Sequence, residues 1–379
     1  MQDQQILFIG LGDAGGRSLT QLARDQPDHP RLILIDTMDR PSQLPECIDF
    51  LRIGAKELRA QGTGGDPRLG HKAMTEAMPG LRPLLQHVSM LVLFAGLGGG
   101  TGTGAAPVIL SEARRQGILT LGIGSLPFDF EGPRRLKKAE HGFLAMQEAA
   151  DGAICLPHQR LVTGLPPEGL NAAKIFRQAD QLVAQCLQSL WQVLTRRGVI
   201  NVAFNDLCTL MRSGSGRCLM VCAETAAADK KTAAIKLMRH PLLEDGAIWR
   251  AAHGCLLNIT GGEDLTLHDI RAIVEELGSQ LPMERLMMTG VICDGQLAQR
   301  TRLVLFVAEG SAITKASPAS PGASDQKTIS KMVQPGLFDD AGRGRFKDVS
   351  PTVIHGSNLD IPAFIRRGIP IQKVRDASS

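Results

Sequence analysis

The 379-residue sequence has no tyrosine, only two tryptophans, and an aromatic content of 4%. Surfaces that bind single-stranded nucleic acid stack bases on aromatic side chains, so this scarcity argues against nucleic acid as the main partner. A charge excess of one sign is also missing, since 42 Lys and Arg face 38 Asp and Glu. What surplus there is belongs to residues 341–379, which hold seven basic and three acidic residues. The eight cysteines are scattered, mostly among apolar neighbours, and no CxxC or His-Cys cluster occurs at zinc spacing. They are expected to be reduced core thiols of a cytoplasmic protein, and no metal site built by the chain alone is expected. Met1-Gln2-Asp3-Gln4-Gln5 brings no basic region to the first apolar run, so a signal peptide is not indicated. Val88–Ser111 carries no charge and has the length of a membrane span. Six glycines between Gly96 and Gly104, each costing about 1 kcal/mol in a helix, exclude a spanning helix there.

The composition is otherwise that of a globular chain, 43% hydrophobic and 21% charged, with room for two domains. Short apolar runs at Ile6–Ile9, Leu32–Ile35, Met90–Ala95 and Leu119–Ile123 predict strands. Helical patterns at Ser18–Arg24 and Ala105–Gln116 alternate with them. That alternation predicts a parallel, doubly wound α/β sheet whose ligand sites lie at the carboxyl ends of its strands. A helical pattern of roughly 25 residues, Asn171–Arg196, puts Ile175, Leu182, Cys186, Leu190 and Leu194 toward one side and would span close to 40 Å. Residues 207–310 mix helical stretches (Ala226–Arg239, Leu267–Leu277) with β-rich ones (Cys255–Ile259, Leu286–Ile292, Arg302–Val307), which predicts a smaller α+β domain. From Ser311 the composition turns to Ala, Ser, Pro and Gly, the signature of a linker.

Two glycine-rich segments follow predicted strands. Gly98-Gly99-Gly100-Thr101-Gly102-Thr103-Gly104 leads into a helix, and its missing side chains would let phosphate oxygens reach the N–H groups of that helix end. Gly10-x-Gly12-x-x-Gly15, with Asp36 ending the next strand, is less specific and also fits a dinucleotide fingerprint. An NAD-dependent oxidoreductase of Rossmann type is therefore a remote alternative. Two phosphate-cradling segments on neighbouring strand ends fit a triphosphate better.

LFAG followed by LGGGTGTGAAPVI resembles the signature loop of the FtsZ/tubulin family of cell-division GTPases. ILFIGLGDAGG resembles the first nucleotide loop of that family, LRIGAKELRAQGTGGDPRLG the third, and GILTLGIGSLPFDFEGPRRL the ribose-contacting segment. HPLLED and LLNITGGEDLTL resemble its C-terminal domain, and RGRFKDVSPTVIHGSNLDIPAFIRR its tail. The resemblance implies a Rossmann-like, parallel-sheet GTP-binding domain over 1–170 and a central helix with the following loop over 171–206. It further implies an α+β domain over 207–310, a linker over 311–342 and a tail with a docking peptide over 343–379.

By the same resemblance, Gly12, Asp13, Ala14, Gly15, Gly16 and Gly98–Gly104 (Gly98, Gly99, Gly100, Thr101, Gly102, Thr103, Gly104) would hold the phosphates of GTP or GDP, with Mg2+ expected beside them. Glu131 and Arg135 would contact ribose and phosphate, Phe176 would stack on guanine, and Asp180 would accept its N1–H and N2–H. The segment 198–206 resembles the loop that reaches the neighbouring subunit's nucleotide, where Asn201 and Asp206 would serve catalysis. The family carries a further acidic residue where this chain has Ala203, and a lost positioning group costs about 2–4 decades in rate. Arg17 and Asp66 replace Asn, and His158-Gln159 stands where Asn-Asp is usual. These departures point to a diverged paralogue. Two readings stay open beside the oxidoreductase: a filament-forming GTPase with reduced hydrolysis, and a hydrolysis-poor regulator or co-assembly partner of another FtsZ. Leu359–Arg367, apolar on a tether, would dock an FtsA-like membrane tether. The implied location is the cytoplasm, including the division site.

Overall fold

A computed structural model of the chain describes residues 5–25, 29–58, 61–161, 172–196, 198–226, 230–246, 251–279, 286–297, 299–310 and the pairs 353–354 and 357–358. Residues up to Thr314 form one compact unit and those from Lys315 another. In the second unit, Val353–Ile354 pairs antiparallel with Ser357–Asn358. The expected linker and the docking peptide Leu359–Arg367 lie outside the described residues.

Among the described residues the first unit contains ten strands: β1 (Gln5–Leu11), β2 (Arg31–Asp36), β3 (Ile48–Arg52), β4 (Val88–Gly96), β5 (Leu119–Leu126), β6 (Gly152–Pro157), β7 (Gly214–Thr225), β8 (Ala252–Gly261), β9 (Leu286–Cys293) and β10 (Thr301–Gly310). Its helices are α1 (Gly12–Asp25), α2 (Ala55–Leu58), α3 (Pro67–Leu81), α4 (Thr101–Arg115), α5 (Pro133–Ala149), α6 (His158–Leu161), α7 (Ala172–Thr195), α8 (Phe204–Arg212), α9 (Lys231–Met238) and α10 (Leu267–Gly278). All ten strands share one sheet in the order β3-β2-β1-β4-β5-β6-β7-β10-β8-β9.

From β3 to β7 every pairing is parallel. Parallel strands are buried on both faces, which is why β1, β2, β4 and β5 read as unbroken apolar runs. Alternate side chains of β1 enter two cores. Ile6 and Phe8 pack with Leu19 and Leu22 of α1 and Val183, Leu187 and Leu190 of α7. Leu7, Ile9 and Leu11 pack with Met74 of α3, Ile109 of α4 and Met146 of α5. The sheet is thus covered on both sides, the doubly wound arrangement that the alternating pattern predicts. Ile175, Leu182 and Cys186 of the expected α7 stripe fall outside the described side chains.

Beyond β7 the pairing changes hand. β10 runs antiparallel to β7 and β8, and β9 closes the edge parallel to β8. The two halves of the sheet meet along β6 and β7 over only Ala153↔Arg217 and Ile154↔Cys218. Asp151, just ahead of β6, braces the parallel side of that junction. Its buried Oδ2 accepts from the Thr120 amide at 2.9 Å and hydroxyl at 3.0 Å, while Arg114 and Arg212 approach Oδ1 at 3.4 and 3.6 Å. One carboxylate therefore ties β5, α4 and α8 together.

Two expectations need correction. α1 and α4 begin at Gly12 and Thr101, several residues ahead of the predicted starts at Ser18 and Ala105, so Gly12–Gly16 and Thr101–Gly104 are first helical turns rather than loops. Glycine's poor helix propensity hides those turns from a pattern-based reading. The cysteines are not uniformly core thiols either: Cys218 and Cys255 are buried, whereas Cys47 and Cys293 are exposed. Among the described residues, no helix is long and apolar enough to cross a membrane.

Candidate functional site

In the order β2-β1-β4, the chain leaves β1 toward one side of the sheet and reaches β4 on the other, which makes the β1/β4 boundary the topological switch point. Ligand crevices of open α/β sheets form outside the strand ends at that place. α1 starts directly after β1 and α4 shortly after β4, so both helix N-termini face this crevice. The cleft has a volume of about 430 Å³ and is lined by Gly12, Asp13 and Ala14 from α1 and by Gly99, Gly100, Thr101 and Gly102 from the second segment. Glu131, Arg135, Phe176, Arg17, Asp36, Thr37, Thr63, Ser125, Pro127 and His158 also belong to its wall.

The glycines of the 98–104 segment have different tasks. A Cβ at Gly99 would meet nothing within 4 Å, so this position opens onto the cleft. Gly98 has φ +93° and lies so close to α5 that a Cβ would come within 2.8 Å of Arg135 atoms. Gly100 packs on Thr63, whose Oγ1 would be 2.1 Å from such a Cβ, and Gly102 packs on the Gly96 carbonyl at 2.6 Å. Gly104 is furthest from the cleft, and its Cβ would sit 2.0 Å from the Pro67 carbonyl oxygen of α3. The expectation that every glycine here clears a path for phosphate is therefore corrected: most of them let α3, α5 and β4 close around the turn.

Thr103 is buried, and its hydroxyl accepts from the Gly98 amide at 2.9 Å, holding the turn shut. Gly15 packs backbone to backbone on Gly10 and also stays out of the cleft. No side chain among the described residues caps α4 at Gly100. The first amides of a helix have no intrahelical acceptor, so this end presents free N–H groups and a positive dipole end beside the open Gly99. An anionic ligand fits that arrangement.

The opposite wall is acidic and polar. Asp36, 4% exposed at the end of β2, accepts from the Thr37 amide at 2.6 Å. Burial pushes its carboxyl above the ordinary value, backbone hydrogen bonds oppose this, and the charge of Asp13 adds to the rise. The Thr37 and Thr101 hydroxyls lie 3.0 Å apart and join β2 to α4. Glu131 accepts from the Phe128 amide at 2.8 Å and pairs with Arg135 at 3.3 Å.

Around Phe176 the packing is aromatic. Phe128 meets its ring edge-on with centroids 5.2 Å apart, and Phe130 stacks on Phe128 at 5.1 Å. His158 stands 6.0 Å from Phe176. Burial pushes its imidazole down to about 4, the Glu131 charge opposes that, and Arg17 adds to the fall. Its buried Nδ1 has no hydrogen-bond partner among the described residues.

Asp180 lies across α1 in an adjoining cleft of about 450 Å³ that also contains Gly16 and Arg17. Its carboxylate is 2.9 Å from Arg17 Nε. Asn201 and Asp206 line neither cleft. Asn201 Oδ1 accepts from the Gly198 amide at 2.8 Å, and Asp206 Oδ2 accepts from the Ala203 amide at 3.3 Å. Ala203 occupies the N-cap of α8 and offers no side-chain cap. Thr63, Ser125 and Pro127 of the cleft wall were not singled out from the sequence. Thr63 had a signal, since it lies in the GTGGD stretch of the third loop.

With the cleft in place, comparison with known proteins becomes decisive. Residues 5–165 match the description of the Tubulin/FtsZ family, GTPase domain, and residues 216–311 that of the FtsZ family, C-terminal domain. The chain is an FtsZ-like member of the Tubulin/FtsZ family. It is 29% identical to cell division protein FtsZ of Coxiella burnetii over 97% of both chains. It is also 29% identical to cell division protein FtsZ 1 of Archaeoglobus fulgidus, over 80% of this chain and 81% of that one. An empty FtsZ dimer from M. jannaschii superposes with a TM-score of 0.74 at 29% identity, covering 81% of this chain and 88% of that one. The Tubulin/FtsZ family comprises GTPases that bind GTP and GDP, so the cleft at the β1/β4 switch lies in the family's GTPase domain. Membership leaves the oxidoreductase reading without support.

Proposed function

We propose that this FtsZ-like chain binds GTP in the β1/β4 cleft, assembles head-to-tail in bacterial cell division, and hydrolyses GTP slowly. The observation that carries nucleotide binding is the uncapped N-terminus of α4 beside the open Gly99. There the amides of 99–102 would bind phosphate oxygens, with Gly12, Asp13 and Ala14 of α1 on the other side. The carboxylates of Asp13 and Asp36 would repel a triphosphate unless a divalent cation such as Mg2+ accompanied it. Glu131 and Arg135 would hold the ribose side, and Phe176 and Asp180 the base. GTP supplies the bond to be broken; the chain's residues position and shield it.

Slow hydrolysis follows from the 198–206 segment. A methyl group at Ala203 orients no water, and the two remaining candidates, Asn201 and Asp206, are engaged with Gly198 and Ala203 of their own segment. Contacts between the nucleotide face of one copy and this segment of the next are heterologous, and such contacts propagate unless rotation closes them. The same engagement favours the second reading, a co-assembly partner that caps or slows another FtsZ. The body up to about residue 310, the linker 311–342 and the docking peptide Leu359–Arg367 would then form a cytoplasmic polymer unit tethered at the division site by an FtsA-like partner.

Purified protein should bind GTP and sediment with it while turning it over about 2–4 decades more slowly than an ordinary FtsZ. Ala203→Asp should raise turnover. Rapid wild-type turnover that Asp206→Ala leaves unchanged would refute the slow-hydrolysis reading. Sedimentation only in the presence of a second FtsZ would establish the co-assembly reading instead.

A further inference from the structure

Arg17 occupies an unusual position in the α1 helix. Its side chain borders both clefts, so it forms the wall between the phosphate side of the site and Asp180. Its Nε lies 2.9 Å from Asp180 Oδ2, and its Cζ is 6.0 Å from the centre of the Phe176 ring. The two groups that would recognise a nucleobase, an aromatic face and a carboxylate, are therefore both already engaged by one guanidinium. Asp180 is 14% exposed and Arg17 48% exposed at the side chain. Burial raises the Asp180 carboxyl, and the Arg17 charge is the main opposing influence.

A carboxylate can receive N1–H and N2–H of guanine together only if both of its oxygens are available in one plane. Here Oδ2 already accepts from Arg17. Adenine meets the pair differently: its N1 is an acceptor, which a bare carboxylate repels and a guanidinium N–H can satisfy. We propose that Arg17 is a selectivity residue that competes with guanine for Asp180 and so narrows the preference of this chain for guanine over adenine nucleotides. The inference rests on reading the cleft as a nucleotide site. Loss of Arg17 also removes a cation near the phosphates, so absolute affinities fall together, and the guanine-to-adenine ratio is the quantity that reports the competition.

The test uses the full chain and displacement of a fluorescent methylanthraniloyl-GDP by GDP and by ADP. Arg17→Ala should raise the GDP-over-ADP preference about tenfold, the scale of one charge-assisted hydrogen bond. Asp180→Asn should lower the preference and abolish the effect of Arg17→Ala in the double variant. Because the Arg17 side chain is half exposed, raising NaCl from about 50 mM to about 500 mM should move the wild-type ratio toward that of Arg17→Ala and leave the variant's ratio flat. This measurement on the wild type does not depend on the variant folding. An unchanged ratio in Arg17→Ala, with both affinities reduced alike, would overturn the proposal and make Arg17 a phosphate contact. A reduced ratio would overturn it too, because Arg17 would then itself read guanine. Absence of displaceable binding in the wild type and every variant would refute the nucleotide site, and this inference with it.

Discussion

Replacing Gly104 and Gly99 separately by alanine tests whether the glycine-threonine segment serves packing or ligand access. At Gly104 the new Cβ would lie 2.0 Å from the Pro67 carbonyl oxygen and 2.6 Å from the His71 amide, against an ordinary contact of at least 3.4 Å. Both obstacles are backbone of α3, so no side chain can swing aside. α3 and α4 would have to separate by roughly 1.4 Å, the difference between those contacts, loosening the shared core around Met74 and Ile109. Overpacking of a close-packed core costs about 1–3 kcal/mol and occasionally more, and a rigid backbone obstacle belongs at the upper end. The better helix propensity of alanine offsets about 1 kcal/mol of it. The net loss is therefore about 2 kcal/mol. With a urea m-value of about 3 kcal/mol/M, the midpoint falls by about 0.7 M. Gly99→Ala meets nothing within 4 Å and should leave the midpoint within about 0.2 M while weakening nucleotide binding at least tenfold by crowding the open amides. Equal midpoints for the two variants, or a stable Gly104→Ala protein, would refute the division of labour argued here.

Ala203→Asp places a carboxylate at the uncapped start of α8 and should stabilise the chain by about 1 kcal/mol, read as a higher urea midpoint. Ala203→Ser should give the same gain without raising GTP turnover, which separates capping from catalysis. His158, held down to about 4 by burial, takes up a proton in the unfolded chain below about 6.5 but in the folded chain only near 4. The unfolded state thus binds more protons in that window, and stability falls as pH drops through it, by at most about 3 kcal/mol. His158→Asn should remove that component, seen as the difference between the two midpoint-versus-pH curves from pH 7 to 4; parallel curves would contradict it. Asp151→Ala strips the Thr120 hydrogen bonds and leaves Arg114 and Arg212 facing no carboxylate at the β5–β6 edge. It should cost about 3 kcal/mol in urea unfolding, whereas Asp49→Ala, at an exposed pair with Arg31, should change little.

The parallel half of the sheet was legible because each of its central strands is an uninterrupted apolar run that only a doubly covered sheet explains. β7 was not, since it opens on Gly214-Ser215-Gly216-Arg217, a turn-like string, before its buried stretch begins at Cys218. β6 is six residues ending in proline, too short to separate from the surrounding turns. The helix starts at Gly12 and Thr101 were hidden for a physical reason: glycine disfavours helix locally, and the compensation is close packing, of Gly15 and Gly16 on Gly10 and Leu34 for α1 and of α3 and α5 on the 98–104 segment for α4, which no local pattern records. The segments 12–16 and 98–104 were marked by their glycine runs and by the family resemblance, yet the separation of Gly99 from Gly104 required knowing what lies behind each. The pairing of Arg17 with Asp180 crosses 163 positions of sequence and left no trace there beyond an arginine at an asparagine position.

The β6–β7 junction has a mechanical consequence. Hydrogen-bonded ladders resist shear in proportion to the rungs that must break together, and here two rungs, Ala153↔Arg217 and Ile154↔Cys218, stand between a six-stranded parallel plate and a four-stranded plate of mixed direction. β10, by contrast, grips β7 along nearly its whole length. A twist or pull applied across the sheet therefore meets its fewest backbone rungs at this waist, where the side chains of the core shared by both plates, rather than the ladder, must carry the load.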